Sequence, residues 1–88
     1  MLRVSVIDSA DAVTIKLEGK LVGPWCEEVA RVCAAAANGS PLRLDLYDVT
    51  YADEAGTELI RAMLSRGVAT LDRCSSFLAE LLKPEGTI

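Results

Sequence analysis

The sequence contains no histidine among its 88 residues. This absence excludes Ser-His-Asp and Cys-His catalysis, imidazole ligands for a metal and a histidine-based pH switch. The three cysteines form no C-x-x-C pair. Cys26 and Cys33, if they share a helix, lie about 10 Å apart, which is too far for a disulfide. Unpaired thiols are typical of a reducing cytosol, and Cys33 is expected to be a small core residue.

Long apolar runs are also missing. No stretch approaches the roughly 20 residues of a membrane span, and the N-terminal residues alternate like a strand instead of forming the apolar run of a signal peptide. Apolar residues make up 51% of the chain and charged residues 25%, as in globular domains. The length suits one domain over residues 1–88. We therefore expect a cytoplasmic protein with no membrane insertion.

Basic residues are outnumbered in the second half of the chain, where eight acidic residues accompany four basic ones. The net charge is −4, and residues 45–88 hold the whole acidic excess. Five acidic residues fall within residues 45–58, where no Lys or Arg occurs. Phosphate binding needs clustered positive charge, so no nucleic-acid partner is expected. An acidic patch suits a basic protein surface or a cation, or it is a solvated rim without a role.

Alternation of apolar and polar residues predicts four strands. Residues 2–7 and 13–18 alternate on either side of the short polar turn "SADA", which indicates an antiparallel hairpin. A third strand is expected in "LRLDLYDV" (42–49) and a fourth in "VATL" (68–71).

Two helices are predicted between these strands. Pro24 is well placed as the first residue of one, which ends at Asn38-Gly39. Asp53 is a good N-cap for the other, which is expected to run from Glu54 to Arg66 and to stop at Gly67. The first helix has an apolar stripe of Trp25, Val29, Val32, Cys33 and Ala36, and the second has Leu59, Ala62, Met63 and Arg66 at helical spacing.

A third helix is expected after the fourth strand, with Phe77, Leu78, Leu81 and Leu82 on its apolar face and Pro84 at its end. The order is then β-β-α-β-α-β-α. Strands separated by helices imply parallel crossovers, and the hairpin adds antiparallel pairing. The predicted fold is therefore α/β, a single small domain with a mixed sheet flanked by helices.

The stretch "YADEAGTEL" (51–59) packs Asp53, Glu54 and Glu58 around a small Ala-Gly pair where a strand gives way to a helix. In sheets with crossover helices, binding sites gather at such junctions. The stretch could be a catalytic carboxylate pair, a cation site or a surface read by a partner protein. Because a nucleophile, a histidine and a cofactor loop such as G-x-G-x-x-G are all missing, we predict no enzymatic activity.

The cation interpretation is also weak. Asp45, Asp48, Asp53 and Glu54 could supply oxygen ligands, but their spacing fits no EF-hand loop. Asp45 lies inside a strand and is expected to point away from the others. We predict no metal and no cofactor.

Partner recognition is supported by a family resemblance. The chain from the hairpin through "LEGKLVGPW" and "DVTYADEAGTELI" resembles STAS domains, the sulphate-transporter and anti-sigma-factor-antagonist modules. In that family a strand ending in D-L leads to a V-x-x-x-D-S-[ST]-G-type turn that opens a helix. Here Leu44-Asp45-Leu46 matches the strand end, and Val49 with residues 53–56 matches the turn. The resemblance covers nearly the full length and implies a mixed sheet flanked by helices and a role in protein interaction.

The resemblance also points to a modification site that this chain lacks. In bacterial antagonists the hydroxyl residue just before the turn's glycine is phosphorylated by the kinase domain of the anti-sigma partner. The matching residue here is Ala55, which cannot accept phosphate, and Glu54 also replaces a common hydroxyl residue. Thr57 is out of register with the family's phosphosite. We predict a binding module without the usual phosphoswitch, and hypothesise that the Glu54 charge imitates part of the phosphorylated state.

The predicted function is thus non-catalytic binding of an anti-sigma factor with a kinase-like domain in bacterial sigma-factor regulation. Two alternatives remain: an accessory subunit of an ABC-type lipid transporter ATPase, and a small-ligand or nucleotide sensor. Ala55-Gly56 could also serve only the close packing of a helix on the sheet, and a homo-oligomer is possible. The predicted partner-binding residues, in a turn from 48 to 57 and on the following helix, are Asp48, Asp53, Glu54, Ala55, Gly56, Thr57, Glu58 and Arg61, with the last two paired on the rim.

Overall fold

The computed structural model describes residues 2–37 and 39–82, which form four strands and three helices. Their order, β-β-α-β-α-β-α, is the predicted one. The predicted cap at Asn38 and the predicted stop at Pro84 lie outside the described residues. The elements are β1 (Leu2–Asp8), β2 (Val13–Leu21), α1 (Pro24–Ala37), β3 (Leu42–Ala52), α2 (Glu54–Ser65), β4 (Ala69–Cys74) and α3 (Ser76–Leu82).

The first two strands form the predicted antiparallel hairpin. Their register runs without interruption from Leu2 opposite Gly19 to Asp8 opposite Val13. The turn is closed by Ser9, whose backbone N–H and hydroxyl both donate to the Ala12 carbonyl, at 3.0 and 2.8 Å. A short polar turn of this kind sets the register of the whole hairpin.

The sheet is mixed, with strand order β1-β2-β3-β4. β1 pairs with β2 antiparallel, whereas β2 with β3 and β3 with β4 pair parallel. Parallel neighbours need a crossover connection, which α1 and α2 supply. The amino-terminal ends of these helices therefore follow the carboxyl ends of β2 and β3, at one end of the sheet.

The helices form one layer against the sheet, because α2 contacts both α1 and α3 and all three also contact strands. The core lies between the layers, and its fully buried side chains include Ile15, Leu17 and Leu44 from the sheet and Val29, Ile60 and Leu78 from the helices. None of the described helices packs on the opposite face of the sheet, which carries polar and charged residues at most of the alternating positions.

β3 is longer than the sequence indicates. It continues through Ala52, so Asp48 to Ala52 are strand residues and the turn predicted from residue 48 is wrong over that part. The register between β2 and β3 shifts between Lys16 and Glu18 and again between Gly19 and Lys20. Such irregularities accommodate an extra residue in one strand, which obscures the alternation in the sequence.

Two further expectations need correction. β4 was predicted at 68–71 but runs from Ala69 to Cys74, because its charged second half pairs with β3 around Asp45 and Leu46. Arg66 was predicted as the last residue of α2, at helical spacing with Ala62 and Met63, but it is the exposed C-cap, and its backbone N–H donates to the Ala62 carbonyl. The buried face of α2 is instead formed by Gly56, Thr57, Ile60 and Met63.

Candidate functional site

The start of α2 is fixed by Asp53, which is the predicted N-cap. Its Oδ1 accepts a hydrogen bond from the Gly56 N–H at 2.8 Å, and its Oδ2 accepts one from the Gly23 N–H at 2.9 Å. These two backbone donors, Gly23 first, lower the pKa of the Asp53 carboxyl below its ordinary value. The same carboxylate therefore caps α2 and ties it to the loop that precedes α1.

Gly56 lies where α2 touches the end of β2. A Cβ at this position would be 2.4 Å from the Leu21 carbonyl oxygen and 2.9 Å from the Leu21 Cγ. No side chain fits at these distances, so the close approach of helix and strand needs glycine. Ala55, by contrast, is exposed. The packing explanation given for the Ala-Gly pair thus accounts for Gly56 but not for Ala55.

An open groove of about 680 Å³ lies beside the first turns of α2. Its walls come from the end of β3, from α2 and from the end of α3. The lining residues are Tyr51, Ala52, Asp53, Glu54, Thr57, Glu58, Arg61 and Leu81. Three carboxylates and one guanidinium make this groove acidic.

Arg61 joins α2 to α3 at one side of the groove. Its Nη2 donates to the Leu81 carbonyl at 2.6 Å, and its Nη1 donates to the Glu58 Oε2 at 2.7 Å. The Glu58–Arg61 ion pair predicted from the sequence is therefore present, and its two residues lie three positions apart on α2. Because Leu81 is at the last turn of α3, Arg61 also satisfies a helix carbonyl that has no partner within its own helix.

An exposed aromatic pair adjoins the groove through Tyr51, which is one of the lining residues. Tyr51 and Phe77 are stacked, with ring centroids 5.9 Å apart and an interplanar angle of 26°. They are 46% and 41% exposed, and Tyr47, four residues earlier on β3, is 57% exposed. Phe77 was predicted on the core-facing side of the last helix, which is wrong: Leu78 is the buried residue of α3. Three of the four aromatic residues of the chain are thus at the surface.

Asp48 and Asp45 belong to a different surface, the uncovered face of the sheet. Lys16 Nζ lies 3.9 Å from Asp48 Oδ2, and Arg73 Nη2 donates to the buried Asp45 at 2.9 Å. The guanidinium of Arg73 also lies 5.0 Å from the ring centroid of Tyr47. The hydrogen bond from Arg73 is the main cause of a lowered pKa of Asp45, with smaller contributions from the Tyr47 N–H and Lys16.

The structure therefore divides the predicted partner-binding residues. Asp53, Glu54, Thr57, Glu58 and Arg61 meet in the groove, whereas Asp48 lies on the sheet face and neither Ala55 nor Gly56 lines the groove. The sequence did not point to Tyr51 and Leu81, which line the groove, or to Phe77, which stacks on Tyr51. Tyr51 opened the acidic stretch, but only its three-dimensional position beside Phe77 distinguishes it from an ordinary strand residue.

The positions of the acidic and thiol side chains bear on metal binding and on thiol reactivity. Within residues 2–37 and 39–82, no three acidic or thiol side chains are grouped closely enough to hold a metal ion. Burial raises the pKa of the Cys33 thiol, and it also raises that of Cys26, where the Asp53 charge adds to the effect, and of Cys74. A raised pKa lowers the fraction of reactive thiolate. In the described part of the chain, no helix is long and apolar enough to cross a membrane.

Comparisons of the sequence give no assignment. No family model matches the chain, and no curated protein matches it with significant similarity.

Comparisons of the structure identify the fold. The chain is similar to part of the crystal structure of Mglu, with a TM-score of 0.62 and 20% identity over 96% of this chain, and it spans 20% of that protein's length. It is also similar to an uncharacterised protein of the DUF3478 family from Shewanella loihica PV-4, which has a SpoIIAA-like fold. That similarity has a TM-score of 0.58 and 12% identity, over 86% of this chain and 69% of the other. At these identities the likeness concerns the fold alone: this chain is a small α/β domain with a STAS-like architecture.

Proposed function

We propose that this protein is a non-catalytic protein-interaction module and that the groove beside α2 is its partner-binding site. The observation that carries the proposal is the combination of an exposed, stacked Tyr51–Phe77 pair with the carboxylates of Glu54 and Glu58. Exposed aromatic side chains are frequent centres of protein interfaces, since they bury a large apolar area. The surrounding acidic groups favour a partner segment with basic residues.

The groups in the groove are better suited to binding than to proton transfer. Asp53 accepts two backbone hydrogen bonds, and Glu58 is paired with Arg61. A lowered pKa keeps Asp53 ionised near neutral pH, which makes it a poor general acid or base at that pH. The groove is also open, whereas catalytic sites usually exclude water.

The partner we favour is an anti-sigma factor with a kinase-like domain. This choice rests on the STAS resemblance of the sequence. Since that resemblance matches the exposed Ala55 to the family's phosphoacceptor, this position has no hydroxyl that a kinase could modify. Binding would therefore be constitutive, with the exposed Glu54 as a fixed negative charge at the helix start.

A second candidate is an accessory subunit of an ABC-type lipid transporter ATPase. The absence of a hydroxyl at position 55 favours it, because this role requires no phosphorylation. The same groove would then contact the ATPase. The two candidates differ only in the identity of the partner. The geometry of the groove does not distinguish between them.

The test begins with capture of partners from cells of the native species by the wild-type protein, followed by mass spectrometry. The captured protein is then purified and its affinity measured by calorimetry against the double variant Tyr51→Ala, Glu54→Lys. We expect the double variant to bind about tenfold more weakly or worse, because it removes an aromatic anchor and reverses a steering charge.

The matched control is Asp11→Lys, which makes the same charge reversal in the exposed β1–β2 turn. It should bind like the wild type. Equal affinity of the groove double variant and the wild type would overturn the groove assignment. An anti-sigma kinase among the captured proteins would support the first candidate, and an ABC ATPase the second.

A further inference from the structure

β1 is an edge strand, and the register of the hairpin tells which of its backbone groups face outward. Ser9 N–H donates to Ala12 O, which marks Ser9 and Ala12 as a hydrogen-bonded pair of the ladder. Hydrogen-bonded and non-hydrogen-bonded pairs alternate in an antiparallel ladder, so the pair of Asp8 and Val13 is not hydrogen-bonded. The Val13 N–H indeed donates away from β1, to Pro41 O at 2.9 Å.

The same alternation, extended along β1, tells for each residue whether its backbone N–H and C=O groups point toward β2 or away from it. The odd-numbered residues Arg3, Ser5 and Ile7 direct their N–H and C=O groups toward β2. The even-numbered residues direct theirs away from the sheet, and these are Leu2, Val4, Val6 and Asp8. Among the described residues no strand lies beyond β1, because it is first in the order β1-β2-β3-β4.

This edge has few of the features that normally prevent pairing. β1 has no register shift, and the residues between Arg3 and Asp8 are uncharged. Val6 and Ile7 are both 49% exposed. Edge strands are usually protected by charge, proline or bulges. The opposite edge, β4, has such protection: its register shifts beside Asp72, and Asp72 and Arg73 are charged.

We propose that β1 pairs antiparallel with β1 of a second copy of this chain, forming a continuous eight-stranded sheet across a two-fold axis. An axis perpendicular to the sheet reverses the strand direction and keeps the helix layers of both copies on the same side. Such a dimer joins two sheets through backbone hydrogen bonds, as in β-strand addition. The pairing edge is separated from the groove by β2, so this inference does not depend on the proposed function.

The backbone groups select the register. Centring the axis on Ser5 places Val4 opposite Val6 and Leu2 opposite Asp8, so all four outward-facing residues of each copy enter hydrogen-bonded pairs. A shift by two residues in either direction leaves one of them unpaired in each copy. In the centred register the apolar side chains of Val4 and Val6 meet on the helix-covered side.

On the side of the sheet opposite the helices, charge substitutions can test the proposed pairing of the two β1 strands. There Ile7 lies opposite Arg3 of the second copy. Ile7→Glu should therefore create two symmetric ion pairs, and Ile7→Lys two like-charge contacts. We expect the dimer of Ile7→Glu to be at least about fourfold tighter than that of Ile7→Lys.

Dimerisation is measured by sedimentation velocity from about 10 μM to about 1 mM, the range in which so small an interface should associate. Circular dichroism verifies that each variant is folded. A wild-type protein that stays monomeric throughout this range would overturn the proposal. So would equal association of the Glu and Lys variants.

A cross-link tests the register. On the two-fold axis, Ser5 faces Ser5 in a non-hydrogen-bonded pair, where Cα atoms are about 4.5 Å apart, a distance that a disulfide spans. Ser5→Cys should thus form a disulfide-linked dimer on oxidation, whereas Arg3→Cys, which faces Ile7, should not. Peptide mapping separates this link from the native Cys26, Cys33 and Cys74. Equal cross-linking of both variants would contradict the register.

Amide exchange gives a readout that needs no substitution. Protection of the Val4, Val6 and Asp8 amides should rise with protein concentration, since they become bonded only in the dimer. The Arg3, Ser5 and Ile7 amides, already bonded to β2, should not change. If a concentration-dependent dimer formed without this alternating protection of the β1 amides, the dimer interface would not be the β1 edge.

Discussion

At the residue scale, two side-chain choices determine the shape of the groove. Asp53 binds the backbone N–H groups of Gly56 and Gly23, so one carboxylate positions both α2 and the loop before α1. Gly56 lets the first turn of α2 approach the Leu21 carbonyl. Asp53 therefore supports the wall of the groove, and Glu54, which is exposed, is the better probe of the proposed binding.

Replacement of Gly56 by alanine tests this packing. The added methyl group would meet a backbone oxygen at 2.4 Å, so α2 must move away from β2. Alanine is intrinsically the better helix former by about 1 kcal/mol, but we expect the steric cost to exceed this gain and to leave a net destabilisation of about 2 kcal/mol. Urea unfolding measures it.

The control for this variant is Ala55→Ser, one position earlier on the exposed side of α2. Its free energy of unfolding should stay within about 0.5 kcal/mol of wild type. If Gly56→Ala unfolded at the same urea concentration as Ala55→Ser, the close packing would not limit this position.

At the element scale, features that depend on residues close in sequence could be predicted, whereas features that depend on tertiary contacts could not. Asp53 as N-cap and Pro24 as the first residue of α1 were correct, because capping depends on neighbours in sequence. The second half of β4 was missed because Arg73 is held by Asp45, 28 positions away. Phe77 was misplaced for a related reason: it stacks on Tyr51 of β3, and helical periodicity cannot reveal that contact.

The contact between α2 and α3 is a second feature that the sequence predicts only in part. The sequence predicted the Glu58–Arg61 pair, but it gave no sign that Arg61 also binds the Leu81 carbonyl. This long-range hydrogen bond fixes the end of α3, and with it one wall of the groove. We expect Arg61→Ala to speed amide exchange in α3 by about fivefold, since a hydrogen bond of ordinary strength is lost.

Arg31→Ala is the matched control, because Arg31 forms the same kind of ion pair with Glu28 within α1. In that variant the exchange of α3 amides should be unchanged. Hydrogen exchange followed by mass spectrometry compares the two. Unaltered α3 protection in Arg61→Ala would mean that apolar packing around Leu78 alone holds this helix.

At the scale of the whole molecule, the single helix layer leaves three distinct surfaces. The groove lies at the end of the sheet where α2 begins, and the β1 edge lies on the far side of β2. The uncovered face of the sheet lies opposite the helices and is crossed by the Lys16–Asp48 and Arg73–Asp45 ion pairs. Because the first two surfaces share no residue, the proposed dimer would leave both grooves free for partners.

Two carboxyl groups with lowered pKa values predict how the fold responds to acid. The pKa values of Asp45 and Asp53 are both lower in the folded protein than their ordinary values. A carboxyl group with a lowered folded-state pKa stabilises the fold above its unfolded-state pKa, which is about 3.9. That stabilisation is lost as the pH falls through the folded-state value. We therefore expect the free energy of unfolding to decrease below about pH 4.

Asp45→Asn isolates the contribution of the sheet face. At pH 6 this variant should be less stable than wild type, because Arg73 loses its charged partner, and the difference should narrow as the pH is lowered toward 2. Urea midpoints across this range, with Asp11→Asn as a control that removes a carboxylate from the exposed hairpin turn, provide the comparison. Asp11→Asn should follow the wild-type curve. If the urea midpoints of Asp45→Asn and wild type changed in parallel with pH, protonation of Asp45 would not contribute to the acid sensitivity. Other groups would then cause the loss of stability in acid.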